Sequence, residues 1–180
     1  MAIEVKINDT TLSLIKGDIT KENTDAIVNA ANSRLSGGEG VDGAIHAAAG
    51  PEIMEECAAI ESCSPGSAVL TSAGKLKAKK IIHTVGPIYK DGWHREAELL
   101  TEAYKTSLRL AAKNGLKSVA FPSISTGAYG YPIKEASLIA LMTVTDGIRK
   151  YKGAFTLIRF VLYSDFDYQV YEESLKEVLT

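Results

Sequence analysis

The chain has 180 residues, of which 46% are hydrophobic and 23% charged, a composition typical of globular proteins that excludes a disordered or fibrous chain. Its 20 Lys and Arg residues against 22 Asp and Glu residues give a net charge of −2, which excludes a global attraction to nucleic acid or anionic lipid. The length predicts a single domain over residues 1–180.

The start of the chain predicts a β-hairpin, then a strand, a loop and a helix. Residues 3–7 and 12–14 alternate apolar and polar side chains around a turn at 8–9. This start lacks the basic region and apolar stretch of a signal peptide, and no apolar run approaches the ~18 residues of a membrane span, so we expect a cytoplasmic protein. Residues 26–31 predict a buried strand, and residues 41–49 predict a helix.

The rest of the chain alternates between the two kinds of element. A further helix is predicted from residue 51, followed by strands at 67–71, 80–85, 118–121 and 155–163 and helices at 95–113, 132–150 and 168–179. Such alternation is typical of a largely parallel sheet covered on both faces. The sequence therefore predicts an α/β fold, a three-layer α/β/α sandwich with a mixed, largely parallel central sheet.

Two cysteines are too few for a disulfide framework. Cys57 and Cys63 lie six positions apart on what we predict to be one helix, without metal-ligand spacing. We expect reduced thiols. No group of His, Cys, Asp and Glu has zinc spacing either, so we predict no metal and no cofactor.

Two glycine-rich loops follow predicted strands and precede predicted helices. They are Gly37–Gly43 and Ser123–Gly130, and Gly17–Thr20 ends a third strand. Ligands of open α/β sheets lie beyond the carboxyl ends of the strands, where loop amides and helix starts favour a phosphate. The two loops predict a pyrophosphate site; the alternative is that their glycines serve only tight turns and close packing.

The spacing of residues 38–43 also matches the glycine pattern of dinucleotide-binding sheets. Five residues, 32–36, separate these glycines from the strand, however, and the strand at 67–71 has no acid at its end to hold a ribose. No loop carries the lysine of a nucleoside triphosphatase. Neither a nicotinamide dehydrogenase nor such a triphosphatase is supported.

Four motifs in order along the chain resemble the macrodomain family, and its MacroD-type branch most closely. They read GDIT from Gly17, NAAN from Asn29, GGEGVDGAIH from Gly37 and SISTGAYGYP from Ser123. The resemblance implies an ADP-ribose pocket. It also implies hydrolysis of mono-ADP-ribose from Asp and Glu side chains and of O-acetyl-ADP-ribose. The implied partners are ADP-ribose, mono-ADP-ribosylated proteins and O-acetyl-ADP-ribose, with no membrane or nucleic acid, and we expect a monomer.

By this resemblance Asp18 reads the adenine, because a carboxylate accepts from an exocyclic amine and rejects a carbonyl. The Ile19 backbone serves a ring nitrogen, and Tyr163 flanks the base, with Phe166 as its rival. Asp18 could instead only cap the turn that follows it.

The resemblance assigns the rest of the ligand to both glycine loops and the strand before the first. The residues that it places against the phosphates and the distal ribose are Ala30, Gly38, Gly40, Val41, Ser125, Thr126, Gly127, Ala128 and Tyr129.

Asn32 and Asp42 match the catalytic pair of this branch. Asn32 would orient the distal ribose, and Asp42 would polarise or deprotonate the attacking water, with the substrate pyrophosphate as a possible helper. The field of the helix start lowers the basicity of Asp42, and a helix-start carboxylate is its alternative role. His46, one turn later, is expected to pack or position and not to act as the base.

Glu39 departs from the run of glycines that the family has in this loop. It could weaken binding, speed product release or point to solvent, the last being our expectation.

A binding module without turnover is the rival function. A third reading, an RNA-associated protein, rests on the basic run Lys75, Lys77, Lys79 and Lys80, which we expect to be a solvated loop. His83 is predicted to be a structural strand residue and His94 a surface residue.

Overall fold

The computed structural model describes residues 1–180 and contains seven strands, five α-helices and one short 3₁₀ helix. The strands are β1 (Ala2–Ile7), β2 (Thr10–Lys16), β3 (Ala26–Ala30), β4 (Ala68–Ser72), β5 (Lys80–Thr84), β6 (Ser118–Phe121) and β7 (Leu157–Leu162). The helices are α1 (Gly40–Ala49), α2 (Glu52–Ile60), α3 (Glu96–Lys113), α4 (Ile133–Lys150) and α5 (Asp165–Leu179), and the 3₁₀ helix is Ile19–Lys21.

All seven strands form one sheet in the order β1-β2-β7-β6-β3-β5-β4. The inner strands β2, β7, β6, β3 and β5 pair in parallel, and the edge strands β1 and β4 pair antiparallel to their neighbours. The parallel strands therefore all point their carboxyl ends to the same edge of the sheet. The predicted mixed, largely parallel sheet is confirmed.

Successive strand residues serve different cores, as the pleat of a strand requires. Ile27 and Ile81 pack with α1 and α2 on one face, whereas Val28 and Ile82 pack with α3, α4 and α5 on the other. Because both faces are covered, these strands read as continuous apolar runs and not as alternating ones. The three-layer α/β/α sandwich is confirmed.

The structure corrects details of the predicted elements. Helix α2 ends at Ile60, so Cys63 lies beyond it and not on the same helix as Cys57; both thiols are free and buried. Helix α5 begins at Asp165, three residues earlier than predicted, because the Ser164 hydroxyl accepts from the Asp167 N–H and caps it. None of the helices is long and apolar enough to cross a membrane.

Phe160 tests the larger core. The centroid of its buried ring lies 5.3–6.1 Å from the ring centroids of Tyr104, Phe121 and Tyr171. We expect Phe160→Ala to lower the free energy of unfolding by about 3–5 kcal/mol, because it removes buried contacts and leaves a cavity. Urea denaturation measures this change in the free energy of unfolding. Phe166→Ala, at a side chain that is 64% exposed, is the matched control and should cost less than about 1 kcal/mol. Equal losses in the two variants would contradict this placement of the core.

Candidate active site

A cleft runs across the sheet edge at which the parallel strands end. It consists of two cavities of about 440 and about 490 Å³. One, the Asp42 end, lies beyond β3 and β5; the other, the Asp18 end, lies beyond β2 and β7. Gly40, Val41, Ser123 and Gly127 line both cavities. The two glycine-rich loops thus meet at the middle of one continuous cleft.

Asp18 caps the turn that follows it, one of the two roles that its sequence position allowed. Its Oδ1 accepts hydrogen bonds from the Thr20 N–H (2.9 Å) and the Thr20 hydroxyl (2.7 Å), which caps the 3₁₀ helix. The hydroxyl bond is the main cause of a lowered Asp18 pKa, so the group is an anion at neutral pH. The second carboxylate oxygen has no protein partner and belongs to a side chain that lines the cleft.

The aromatic wall of the Asp18 end is Tyr163. It follows β7 directly, lines this cavity and is 82% exposed, so its ring is free to lie against a planar ligand. Phe166, the rival residue, lies in the first turn of α5 and lines neither cavity.

Asp42 is a buried carboxylate in the first turn of α1 at the other end of the cleft. Its Oδ1 accepts from Asn29 Nδ2 (2.9 Å) and lies 3.2 Å from His46 Nε2, one helical turn away. His46 Nδ1 is buried without a partner, and only Nε2 faces the Asp42 carboxylate. His46 therefore positions Asp42, as predicted.

A chain of hydrogen bonds connects Asp42 to the sheet beneath it. Asn29 uses its second N–H on His83 Nδ1 (3.1 Å), which must therefore be an acceptor. His83 Nε2 then donates to the Thr71 hydroxyl (2.8 Å), which donates to the Ser72 carbonyl (2.9 Å). Burial lowers the pKa of His83 to about 4, so the ring is neutral at neutral pH. The predicted structural hydrogen bond of His83 is confirmed.

Asn32 lines the Asp42 end, but its side chain forms hydrogen bonds within its own loop. Its Nδ2 donates to the Gly37 carbonyl (2.8 Å), and its Oδ1 accepts from the Ser36 N–H (3.1 Å). These bonds fold residues 32–37 into a tight turn that carries the chain from β3 towards α1. One amide N–H of Asn32 remains available to a ligand.

The first glycine loop depends on glycine at specific positions. Gly37 and Gly40 have φ of 74° and 60°, and a Cβ on Gly43 would overlap the Gly38 carbonyl oxygen. Glu39, by contrast, has φ of −103°, which any residue adopts. A Glu here therefore causes no backbone strain, and its side chain is exposed, as expected, at the rim of the Asp42 end.

The second glycine loop presents a buried polar group without a partner. Ser125 has φ of 67°, and its hydroxyl is buried with no hydrogen bond, although the residue lines the Asp42 end. Buried hydroxyls are nearly always satisfied, so this one is an exception within the fold. Gly86, in the loop between β5 and α3, packs against Ser125, and a Cβ there would overlap the Ser125 side chain. The second glycine loop is therefore in contact with the loop that follows β5.

The structure brings nearly all the predicted residues together. The Asp18 end contains Asp18, Ile19, Gly40, Val41, Thr126, Gly127 and Tyr163, and the Asp42 end contains Ala30, Asn32, Gly40, Val41, Asp42, Ser125, Gly127, Ala128 and Tyr129. Gly38 lines neither cavity; a Cβ there would lie 3.3 Å from Asp42 Oδ2. We assigned no separate role to Asn29 or Gly86; the sole signal for Asn29 was a polar residue in a buried strand.

Folding also assembles donor atoms that sequence spacing did not show. His46, Cys57 and His83 each place one potential ligand atom within 4.8 Å of the other two. Both nitrogens of His83 are already hydrogen-bonded, to Asn29 and Thr71. The absence of a bound metal stays a prediction.

The basic run lies away from the cleft. Its lysines, Lys75, Lys77, Lys79 and Lys80, are exposed around the β4–β5 turn, at the sheet edge where the parallel strands begin, and Lys79 pairs with Asp25 (3.3 Å). No Lys or Arg lines either cavity of the cleft.

A cleft beyond the carboxyl ends of the parallel strands lies where open α/β domains bind their ligands. Residues 28–140 match the Macro domain family model. A macro domain-containing protein of Caldanaerobacter subterraneus subsp. tengcongensis is 53% identical over 93% of this chain and 97% of its own length. An O-acetyl-ADP-ribose deacetylase of Salmonella newport is 51% identical over 92% of this chain and 94% of its own.

Solved macrodomain structures also have the same fold as this chain. The Oceanobacillus iheyensis macrodomain with ADP has a TM-score of 0.95 at 45% identity, covering 99% of this chain and 97% of its own. A Trypanosoma brucei macrodomain in complex with ADP-ribose has a TM-score of 0.85 at 41% identity, covering 90% of this chain and 68% of its own. The chain belongs to the macro domain family.

His83 makes the fold sensitive to acid. Its pKa is about 4 in the folded chain against 6.5 for an ordinary His, so the unfolded chain binds more protons between these values. The stability from neutral His83 is complete above pH 6.5 and is lost as the pH falls towards 4, by about 3 kcal/mol.

Denaturant unfolding at pH 7, 5.5 and 4 measures this dependence. We expect His83→Gln to be less stable than wild type at pH 7 but to lose less stability on acidification. His94→Gln, at an exposed His, is the matched control and should keep the wild-type slope. The same slope in wild type and His83→Gln would refute the assignment.

Proposed function

We propose that residues 1–180 form one macro domain that binds ADP-ribose and hydrolyses ester-linked ADP-ribose. Its substrates are O-acetyl-ADP-ribose and proteins with mono-ADP-ribose on Asp or Glu. The observation that carries this is the layout of the cleft. An exposed carboxylate, Asp18, stands at one end, a buried carboxylate, Asp42, at the other, and two glycine loops lie between them.

The middle of the cleft suits a pyrophosphate. With no Lys or Arg in its walls, an anion there is held by loop amides and by the N-terminus of α1, at Gly40 and Val41. The free oxygen of Asp18 accepts the adenine amine, and the Tyr163 ring covers the base. The distal ribose then lies at the Asp42 end, against Tyr129 and Ser125.

Asp42 is the group best placed to direct a water molecule. Both hydrogen bonds to it reach Oδ1, which leaves Oδ2 for a water proton. In the protein-linked ester the water oxygen bonds to the anomeric carbon of the distal ribose, the bond from that carbon to the carboxylate oxygen breaks, and the water proton passes to Asp42 or to the substrate pyrophosphate. ADP-ribose and the free Asp or Glu carboxylate are the products. In O-acetyl-ADP-ribose the water oxygen bonds to the acetyl carbon, the ribose oxygen leaves and takes the proton, and acetate and ADP-ribose are the products. A carboxylate leaves without a strong acid to protonate it, so esters suit this site better than N-glycosides of arginine.

The relatives support this proposal. The Salmonella newport relative is named an O-acetyl-ADP-ribose deacetylase, and the Trypanosoma brucei macrodomain is in complex with ADP-ribose. We further propose that the protein acts in the cytoplasm as a monomer and without a metal or other cofactor.

One observation favours a second candidate, a module that binds ADP-ribose without turnover. The Asn32 amide is committed to the Gly37 and Ser36 backbone, so it orients the distal ribose only through its one free N–H. A site that binds and does not orient the ribose would be a reader.

A timed incubation separates the two candidates. The protein is mixed with O-acetyl-ADP-ribose or with a Glu-linked mono-ADP-ribosylated protein, release of ADP-ribose is followed, and free ADP-ribose is titrated by calorimetry. The proposal predicts release from both substrates together with binding. Binding without release from either substrate would assign the chain as a reader.

Asp42→Ala tests the water-directing group. We expect hydrolysis to fall by at least about 100-fold, because a positioned base contributes factors of about 10²–10⁴. ADP-ribose affinity should change by less than about tenfold, since the pyrophosphate and adenine contacts remain. Asp146→Ala, on the exposed face of α4, is the matched control. Wild-type hydrolysis by Asp42→Ala would remove Asp42 from the reaction.

Asp18→Asn tests the adenine contact without removing the cap on the 3₁₀ helix, because Asn also accepts from the Thr20 N–H. We expect ADP-ribose to bind about 10–100-fold more weakly, the worth of a hydrogen bond to a charged group. An analogue with hypoxanthine, which has a carbonyl in place of the amine, should lose no affinity. Equal losses for the two ligands, measured by calorimetry, would mean that Asp18 does not read the base.

A further inference from the structure

The loop between β5 and α3 carries an aromatic side chain that nothing in the fold covers. Trp93 is 89% exposed, and Ile88, five residues earlier, is 59% exposed. Neither belongs to a hydrophobic core. An indole left in water has no stabilising role in the fold, whereas Trp is among the residues most often found at binding hot spots.

The backbone that carries Trp93 is rigid. The carboxylate of Glu96, 1% exposed, accepts hydrogen bonds from the N–H groups of Lys90, Asp91, Gly92 and His94. Burial alone would raise the pKa of Glu96, but these four donors lower it to about 2, so the carboxylate stays ionised. Asp91 Oδ1 also accepts from the Trp93 N–H (2.8 Å). A contact made by Trp93 therefore costs little backbone entropy.

This loop is joined to the Asp42 end of the cleft. Gly86, near its start, lines that cavity, and the Tyr89 N–H donates to the carbonyl of Tyr129 in the opposite wall (2.9 Å). A Cβ on Gly92 would lie 3.3 Å from the Tyr89 hydroxyl, so this tyrosine spans from the cleft wall to the residue next to Trp93.

The charges around Trp93 favour a polypeptide partner over nucleic acid. Arg95 is held by Glu98 through two hydrogen bonds (2.9 and 2.7 Å), and His94 is paired with Asp91 (2.8 Å). Only Lys90 in this loop has no acidic partner. A phosphate backbone needs several free cations, which the loop does not offer.

We propose that Trp93 is a docking platform for the polypeptide that carries the ADP-ribose, and that it contacts an apolar side chain beside the modified residue. This inference rests on the proposed function, which places the distal ribose, and hence the attached polypeptide, at the Asp42 end. Small substrates such as O-acetyl-ADP-ribose end inside the cleft and do not reach Trp93, which lines neither cavity.

Two mono-ADP-ribosylated peptides test the platform, one with leucine and one with glycine beside the modified Glu. For Trp93→Ala we expect KM for the leucine peptide to rise about 5–30-fold, as for loss of a hot-spot residue, with kcat nearly unchanged. Kinetics on the glycine peptide and on O-acetyl-ADP-ribose should stay as in wild type. Trp93→Phe should restore most of the loss. Met142→Ala, at a 55% exposed side chain on α4, is the matched control.

Each other outcome is decisive. A loss shared by all three substrates would make Trp93 structural, and an unchanged KM for the leucine peptide would overturn the platform. A single-stranded RNA that displaces the peptide from wild type but not from Trp93→Ala would overturn the choice of a polypeptide. If wild type hydrolyses nothing, the proposed function fails. Calorimetry then tests docking alone: the leucine peptide must bind more tightly than free ADP-ribose, and Trp93→Ala must abolish the difference.

Discussion

The site depends on one buried carboxylate that the fold keeps in place. Asp42 lies in the first turn of α1, where the helix field favours its charge, and Asn29 and His46 both bond to the same oxygen. Asn29 belongs to β3 and His83 to β5, so hydrogen bonds connect the Asp42 carboxylate to the two strands that end beneath it. These bonds leave Oδ2 of Asp42 without a hydrogen-bond partner in the protein.

The two ends of the cleft use the same chemical group for opposite purposes. Asp18 is exposed and held by Thr20, a setting that lowers its pKa and suits a permanent acceptor. Asp42 is buried and bonded to Asn29 and His46, a setting that fixes its position and suits a group which directs water. The loops between them provide backbone amides and no cation. The conformation of the first glycine loop depends on glycine, because Gly40 has a positive φ and a Cβ on Gly43 would overlap the Gly38 carbonyl oxygen.

The sequence predicted the layers and most of the cleft because both leave local signals. Continuous apolar runs mark strands covered on both faces, and the glycine loops mark where the ligand edge lies. The polar chain from Asp42 to Thr71 was not predictable, since its bonded members are 12 to 54 positions apart and meet only when β3, β4 and β5 pair. The cluster of His46, Cys57 and His83 was not predictable either, because its members lie on α1, α2 and β5 and meet only in the folded chain. The harmless backbone of Glu39 depends on a dihedral angle that residue identity does not reveal.

A crystal structure of the protein with ADP-ribose tests the central claim, the direction in which the ligand lies in the cleft. The account predicts the adenine amine at the free oxygen of Asp18, the pyrophosphate at Gly40, Val41 and Ser125–Gly127, and a water molecule at Asp42 Oδ2 facing the anomeric carbon of the distal ribose. Adenine at the Asp42 end, or a distal ribose out of reach of Asp42, would contradict it.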